Sequence, residues 1–268
     1  MTYSLALGPF HPALRGPQRF ELKLHGEQIA DIEYHDGFNE RGCAERLPRL
    51  DLPQALHLVS RICGTCSLAH TLAFCQALEA LCAIEVPGRA QALRCVAAEL
   101  ERIASHARAA AAILRALGMD RYAADLDGPR ELALTSLAAI GDARVIPKLC
   151  LPGGVRRDLT PRDLEALRQA LPQLNRSLYR FADRLIDHRP LLARTVGVGV
   201  LPRAAAEGPR GAIRYSLESD GRRLTHARID APRQLDRLLA RTLLSNALID
   251  NAVAIIASAD VCTACAER

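Results

Sequence analysis

The chain has 268 residues, 49% of them hydrophobic and 24% charged, with a formal net charge of +5. That is enough for one sizeable core or at most two small domains. The excess charge is scattered arginine without basic clusters or interleaved aromatics, which excludes a dedicated nucleic-acid surface and leaves a solvated face suited at most to an acidic partner. Aromatic residues make up 4% and tryptophan is missing, so packing must rest on Leu, Ala, Ile and Val, a composition that favours helices. No apolar run approaches the length of a transmembrane helix. The opening Met1-Thr2-Tyr3-Ser4-Leu5 has neither the basic start nor the apolar run of a secretory leader. The expectation is a single domain over residues 1–268 that meets a membrane only through other subunits.

In chain order, a loop containing Gly8-Pro9-Phe10-His11-Pro12 precedes a hairpin. Phe20, Leu22 and Leu24 alternate with polar residues, as do Ala30, Ile32 and Tyr34 after the His25-Gly26-Glu27 turn. Asp51 and Pro53 start a helix that carries Leu56, Leu58, Val59 and Ile62. A second helix begins near Ser67, with Leu72, Cys75, Leu78 and Leu81 at helical spacing. A long helix follows Pro87-Gly88, from Ala90 to Leu117, and another runs from Asp127 to Ile140. Leu151-Pro152-Gly153-Gly154 is a turn. Thr160 caps a helix whose stripe of Leu164, Leu167, Leu171, Leu174, Leu178, Phe181 and Leu185 suits a bundle core. The glycines between Arg194 and Gly211 form no phosphate cradle. A second hairpin turns at Asp220-Gly221. A helix is expected from Pro232 to Asp250 with Leu235, Leu238, Leu239, Leu243 and Leu248 inward, followed by an apolar run over Val253–Ala257.

Nine cysteines in such a chain argue for a reducing compartment. Cys43, Cys75, Cys82, Cys95 and Cys150 stand singly and read as small buried hydrophobes. The other four form two pairs, Cys63-Gly64-Thr65-Cys66 and Cys262-Thr263-Ala264-Cys265. Two intervening residues let two thiolates converge on one ion, and two such pairs make a soft four-sulfur set suited to zinc, iron–sulfur, nickel or copper(I). On spacing alone, a structural zinc and a catalytic metal stand level. The first pair lies at a helix–helix junction near a helix N-terminus, where thiolates are favoured.

The flanks tip the balance. Arg61-x-Cys63-Gly64-x-Cys66-x-x-x-His70 and Asp260-x-Cys262-x-x-Cys265 resemble the two metal motifs of nickel–iron hydrogenase large subunits. The terminal Cys-x-x-Cys-x-x-Arg and the Gly-Pro-x-His-Pro opening are similar to the energy-converting (group 4) branch, which is related to the 49 kDa quinone-site subunit of respiratory complex I. Glu99-Leu100-Glu101-Arg102, Pro152-Gly153-Gly154-Val155 and Gly208-Pro209-Arg210-Gly211 also resemble family landmarks, and a central segment is missing before the last of these.

The resemblance implies a mainly α (α+β) fold: a long-helix bundle with two small β-hairpins, a trimmed hydrogenase large subunit. It implies a Ni-Fe(CN)2(CO) centre on Cys63, Cys66, Cys262 and Cys265, with magnesium a further candidate. Cys63 and Cys262 would be terminal ligands, and Cys66 and Cys265 the bridges. Cys262 or Arg210 would take the proton, Asp260 would hydrogen-bond that arginine or a ligand, and His70 and Arg61 would support the centre. Electrons would pass to an iron–sulfur small subunit, with a membrane arm beyond it, on the cytoplasmic face of the inner membrane. The alternative is a non-catalytic or quinone-side subunit like that of complex I. Where the family usually carries acids, this chain has Gly16, Gln18 and Ala44.

Overall fold

A computed structural model describes residues 2–195, 209–221 and 223–267. Helices dominate, as composition and periodicity imply. The expected first hairpin is β2 (Arg19–His25) with β3 (Gln28–His35), and its register pairs Phe20 with Tyr34 and Leu22 with Ile32. A strand absent from the sequence reading, β1 (Thr2–Leu7), pairs with β2 and makes the sheet a three-stranded antiparallel meander. Its residues are mostly exposed, so it carries little of the alternation that betrays a half-buried strand.

The cysteine motifs hang on short, well-capped helices. After α1 (Cys43–Arg46) and a 3-10 turn, α2 (Leu52–Val59) starts at Asp51 with a complete capping box to Gln54. It stops just before the first pair, and α3 (Ser67–Cys82) starts just after it. The strut of the molecule is α4 (Gly88–Ala116), 29 residues and so about 43 Å long. It packs against α3, α5 (Asp120–Ala124), α6 (Asp127–Gly141) and α10 (Ile249–Ala259). The Pro152-Gly153 turn joins the two-residue strands β4 (Cys150–Leu151) and β5 (Gly154–Val155).

A buried ion pair ties these parts together. Arg94 on α4 donates to both oxygens of Glu79 on α3, at 3.1 and 2.6 Å, and to the carbonyls of Leu151 and Gly154. Glu79 also accepts the Gly153 amide at 2.8 Å. Both side chains are buried, so removing one leaves an uncompensated charge. Glu79→Ala is therefore expected to cost about 3–5 kcal/mol in urea unfolding. A loss below about 1 kcal/mol would show the pair to be dispensable.

Two helix expectations need correction. First, α7 (Pro161–Ile186) has the predicted Thr160 cap, but it is a surface helix, not a core one. Leu167 and Leu174 are buried, and Leu178, Phe181 and Leu185 rest on the core, whereas Leu164 and Leu171 are each 39% exposed. The stripe is real, but helices cover it on one side only. The short α8 (Arg189–Arg194) follows, and the Gly-rich run and the predicted deletion junction at 196–208 lie outside the described residues.

Second, the helix expected over Pro232–Asp250 is broken. It comprises α9 (Arg237–Leu244), started by Asp236, then a turn with Asn246 in the left-handed region (φ 63), and then α10. The break places the Ile29 and Ala247 backbones in hydrogen bond. It also turns Leu238 out to 76% exposure and leaves Leu248 exposed, while Leu235, Leu239 and Leu243 face the sheet. The second hairpin, β6 (Arg214–Ser219) with β7 (Leu224–Asp230), lies where it was expected. Of the single cysteines, Cys43, Cys75 and Cys150 are buried, but Cys82 and Cys95 are exposed, on the outer faces of α3 and α4.

Candidate metal centre

The two cysteine pairs, some two hundred positions apart, meet in one buried pocket. Cys63 Sγ is 3.5 Å from Cys262 Sγ, and Cys66 Sγ is 3.1 Å from Cys265 Sγ. The sulfurs of Cys63, Cys66 and Cys265 all lie within 4.8 Å of one another. Sulfurs sharing one ion through bonds of ~2.3 Å stand about 3.3–3.8 Å apart, depending on geometry. Both the spacing and the soft donor set therefore fit a thiolate-bound metal.

Local structure produces this convergence. The first pair fills the junction between α2 and α3. The second follows α10, where Asp260 adopts the left-handed region (φ 48) and turns the chain sharply into the motif, ending in the single turn α11 (Thr263–Ala266). Aspartate is one of the few residues that tolerates that conformation. Arg41 staples the two motifs, donating to the carbonyls of Arg61 and Ile62 on one side and Ala264 on the other.

Electrostatics at the pocket call for a cation. Four adjacent thiols cannot all ionise on their own. Cys63 is held far below the usual thiol range by hydrogen bonds from Cys262, Cys265 and Cys66. Cys265 is pushed far above it, because it donates to Cys262, Cys63 and Cys66 and is buried. A bound cation would offset that mutual repulsion and let the four sulfurs ionise together.

Polar groups surround the sulfurs. Arg210 is buried. Its guanidinium spreads three ways: Nε toward Asp260 Oδ2 and the Asp260 carbonyl at 3.2 Å, Nη1 to Thr65 Oγ1 at 3.3 Å, and Nη2 to Ser105 Oγ at 3.0 Å. Thr65 Oγ1 is in turn 3.3 Å from Cys63 Sγ. Asp260 also pairs with Arg15, so two guanidiniums share one carboxylate and leave a net positive charge beside the thiols. His70, fully buried, lies with Nε2 3.5 Å from Cys265 Sγ, and its Nδ1 accepts the Tyr215 hydroxyl at 3.0 Å in the tautomer that donates to sulfur.

Arg61 is the one candidate that does not join. Its guanidinium turns outward along α2 to His57 and Ser60. Arg61 is exposed there, where its charge stays in contact with water. Sequence reading missed Thr65, Ser105, Tyr215, Arg15 and Glu101. Thr65 sits inside the motif, and Ser105 lies one residue before His106, whose Nε2 holds the Pro209 carbonyl at 2.7 Å and so anchors Arg210's loop. Tyr215 and Arg15 carry no local signal.

Glu101 is buried on α4 and accepts the backbone N–H groups of Leu68 and Ala69 at 2.8 and 3.0 Å, at the N-terminus of α3. Burial pushes its carboxyl up to about 7, against the pull of those donors. The folded state thus holds this proton more tightly than the unfolded chain, where the group titrates near 4.5. Stability is expected to fall as pH rises from there to about 7 and to level off above it, with a loss of roughly 3 kcal/mol at about 1.4 kcal/mol per pKa unit. Glu101→Gln should remove that slope in unfolding curves, whereas identical slopes in both proteins would refute it.

The fold and pocket define a helical subunit built around a tetrathiol cage. Residues 126–206 match the family described as respiratory-chain NADH dehydrogenase, 49 Kd subunit. The chain is 31% identical over 202 residues to the membrane-bound hydrogenase subunit alpha of Pyrococcus furiosus, a stretch covering 75% of this chain and 47% of that protein. It is 32% identical to formate hydrogenlyase subunit 5 of Escherichia coli, covering 73% and 34%. It is 35% identical to an NADH-quinone oxidoreductase subunit of Sinorhizobium medicae, covering 75% and 50%. The matches thus take in about a third to a half of these relatives' length. In fold it is similar to a chain from the structure of the membrane-bound sulfane sulfur reductase, an archaeal respiratory membrane complex, with TM-score 0.90, 19% identity, and coverage of 100% of this chain and 98% of that one. By these matches the chain is similar to energy-converting, group 4 hydrogenase large subunits and to the complex I 49 kDa subunit.

Proposed function

We propose that this chain is the catalytic large subunit of a nickel–iron hydrogenase, oxidising hydrogen or reducing protons. The observation that supports this reading most is the meeting of Cys63, Cys66, Cys262 and Cys265 under Arg210. Those four thiolates would hold a Ni-Fe(CN)2(CO) centre, which when bound supplies the redox chemistry that splits or forms hydrogen. Around it the protein's own groups have distinct tasks. Cys262 serves as the proton acceptor at the pocket. Arg210 is a fixed, always-charged group; clamped by Asp260, Thr65 and Ser105, it orients and polarises rather than exchanging a proton. His70 donates toward Cys265 and fixes its sulfur, as outer hydrogen bonds do in metal sites.

Electrons would leave to an iron–sulfur small subunit, since the described residues offer no second set of paired thiols. Among the described residues, no helix is long and apolar enough to cross a membrane. We place the chain at the cytoplasmic face of the inner membrane, held through a membrane arm of other subunits. The likeness to the NADH-quinone oxidoreductase subunit supports a second reading, a quinone-side subunit that keeps a metal pocket without hydrogen chemistry.

Elemental analysis and infrared spectroscopy of protein purified from its native host separate these. Stoichiometric nickel and iron with metal-bound cyanide and carbon monoxide bands is the expected result. Zinc alone, or no metal and no such bands, would refute the hydrogenase assignment.

A further inference from the structure

We propose that Glu101 carries the proton between the thiol pocket and bulk water, an inference that rests on the hydrogenase reading. The family's acidic positions cannot do so here. Position 16 is closed to any side chain, because a Cβ on Gly16 would stand 2.1 Å from Thr263 Oγ1. Gln18 does not titrate and is buried as the acceptor of the Tyr34 hydroxyl. Residue 44 is alanine. Asp260 is locked between Arg15 and Arg210. Glu267 accepts the Asn39 amide and lines a separate cleft with Glu40 and His226.

Glu101 is differently placed. Its carboxylate is held by backbone N–H groups of α3 rather than by a cationic side chain among the described residues. It lines a crevice of about 50 Å³ together with Gly64 and Thr65, which adjoin Cys63, and with Arg108, Arg130 and Arg144. At about 10–15 Å³ for each water, that is room for a short string of waters. Two of these arginines, Arg130 and Arg144, pair with Glu131, which moderates their field. The groups acting on Glu101 are therefore the Ser67, Leu68 and Ala69 amides, Cys63, Cys150, and these arginines. Their balance with burial brings the carboxyl close to neutral pH, where a proton carrier works in both directions. During hydrogen oxidation the proton released at the pocket converts the Glu101 carboxylate to the acid, which then returns it to crevice water. Proton reduction runs the same path backwards.

The test has two arms. Infrared titration of the full chain should show a protonated carboxylic carbonyl band that disappears between about pH 5 and pH 8 and is missing from Glu101→Gln. In the metal-loaded complex, Glu101→Gln should slow exchange between hydrogen gas and deuterated water by about 10²-fold at unchanged nickel content, with partial rescue in Glu101→Asp. An identical infrared titration in parent and variant, or parental exchange in nickel-loaded Glu101→Gln, overturns the relay alone. A native protein without nickel instead sinks the hydrogenase reading, and the relay with it, on elemental analysis.

Discussion

A Cys66→Ser protein is expected to purify without nickel or iron, while its unfolding temperature stays close to that of the metal-free parent. The sulfur of Cys66 is buried and 3.1 Å from that of Cys265, so its removal breaks the paired arrangement on one whole side of the pocket. Serine fills nearly the same space but is a harder donor that stays protonated at neutral pH, and soft metals discriminate strongly against it. The fold should tolerate the exchange, because the thiol is already hydrogen-bonded and the hydroxyl can take over that bond. Metal analysis and a thermal melt on the same sample check both halves. Full metal occupancy in Cys66→Ser would remove that thiolate from the ligand set.

Arg210→Lys should keep the metal and lose activity, by about 10²–10³-fold in turnover. Three nitrogens of one planar group point at Asp260, Thr65 and Ser105, and each partner comes from a different segment of the chain. An ammonium is a single point with a different reach and cannot hold that fork. Asp260 would keep its pair with Arg15, which protects the fold and leaves the loss at the thiol pocket. Hydrogen-dependent dye reduction at matched nickel content measures the effect. Parental turnover in the lysine variant would show that charge alone suffices there.

The sequence carried the donors and most of the scaffold. Asp51, Thr160 and the Asp220-Gly221 turn mark their elements by local chemistry, because caps and tight turns depend on a few adjacent residues. Positions that depend on distant neighbours were less legible. β1 exists because β2 has a free edge to pair with, not because its own pattern demands a strand. The helix predicted over Pro232–Asp250 breaks at Asn246 because the backbone there pairs with Ile29 of the sheet, a contact from over two hundred residues away. Periodicity alone drew Leu238 inward, and the break turned it out.

The same division runs through the candidate centre. Two pairs of cysteines at metal-ligand spacing, with Arg210, Asp260 and His70 in recognisable company, were written in the chain itself, because ligand type and spacing are local properties. Only the packing of α3 and α10 against α4 decided that all four sulfurs share one cavity. Packing also decided that Arg61 faces solvent while Arg15, Ser105 and Tyr215 close around the site. Direction and burial are set by what lies across the core, and a linear string does not encode that neighbour by neighbour.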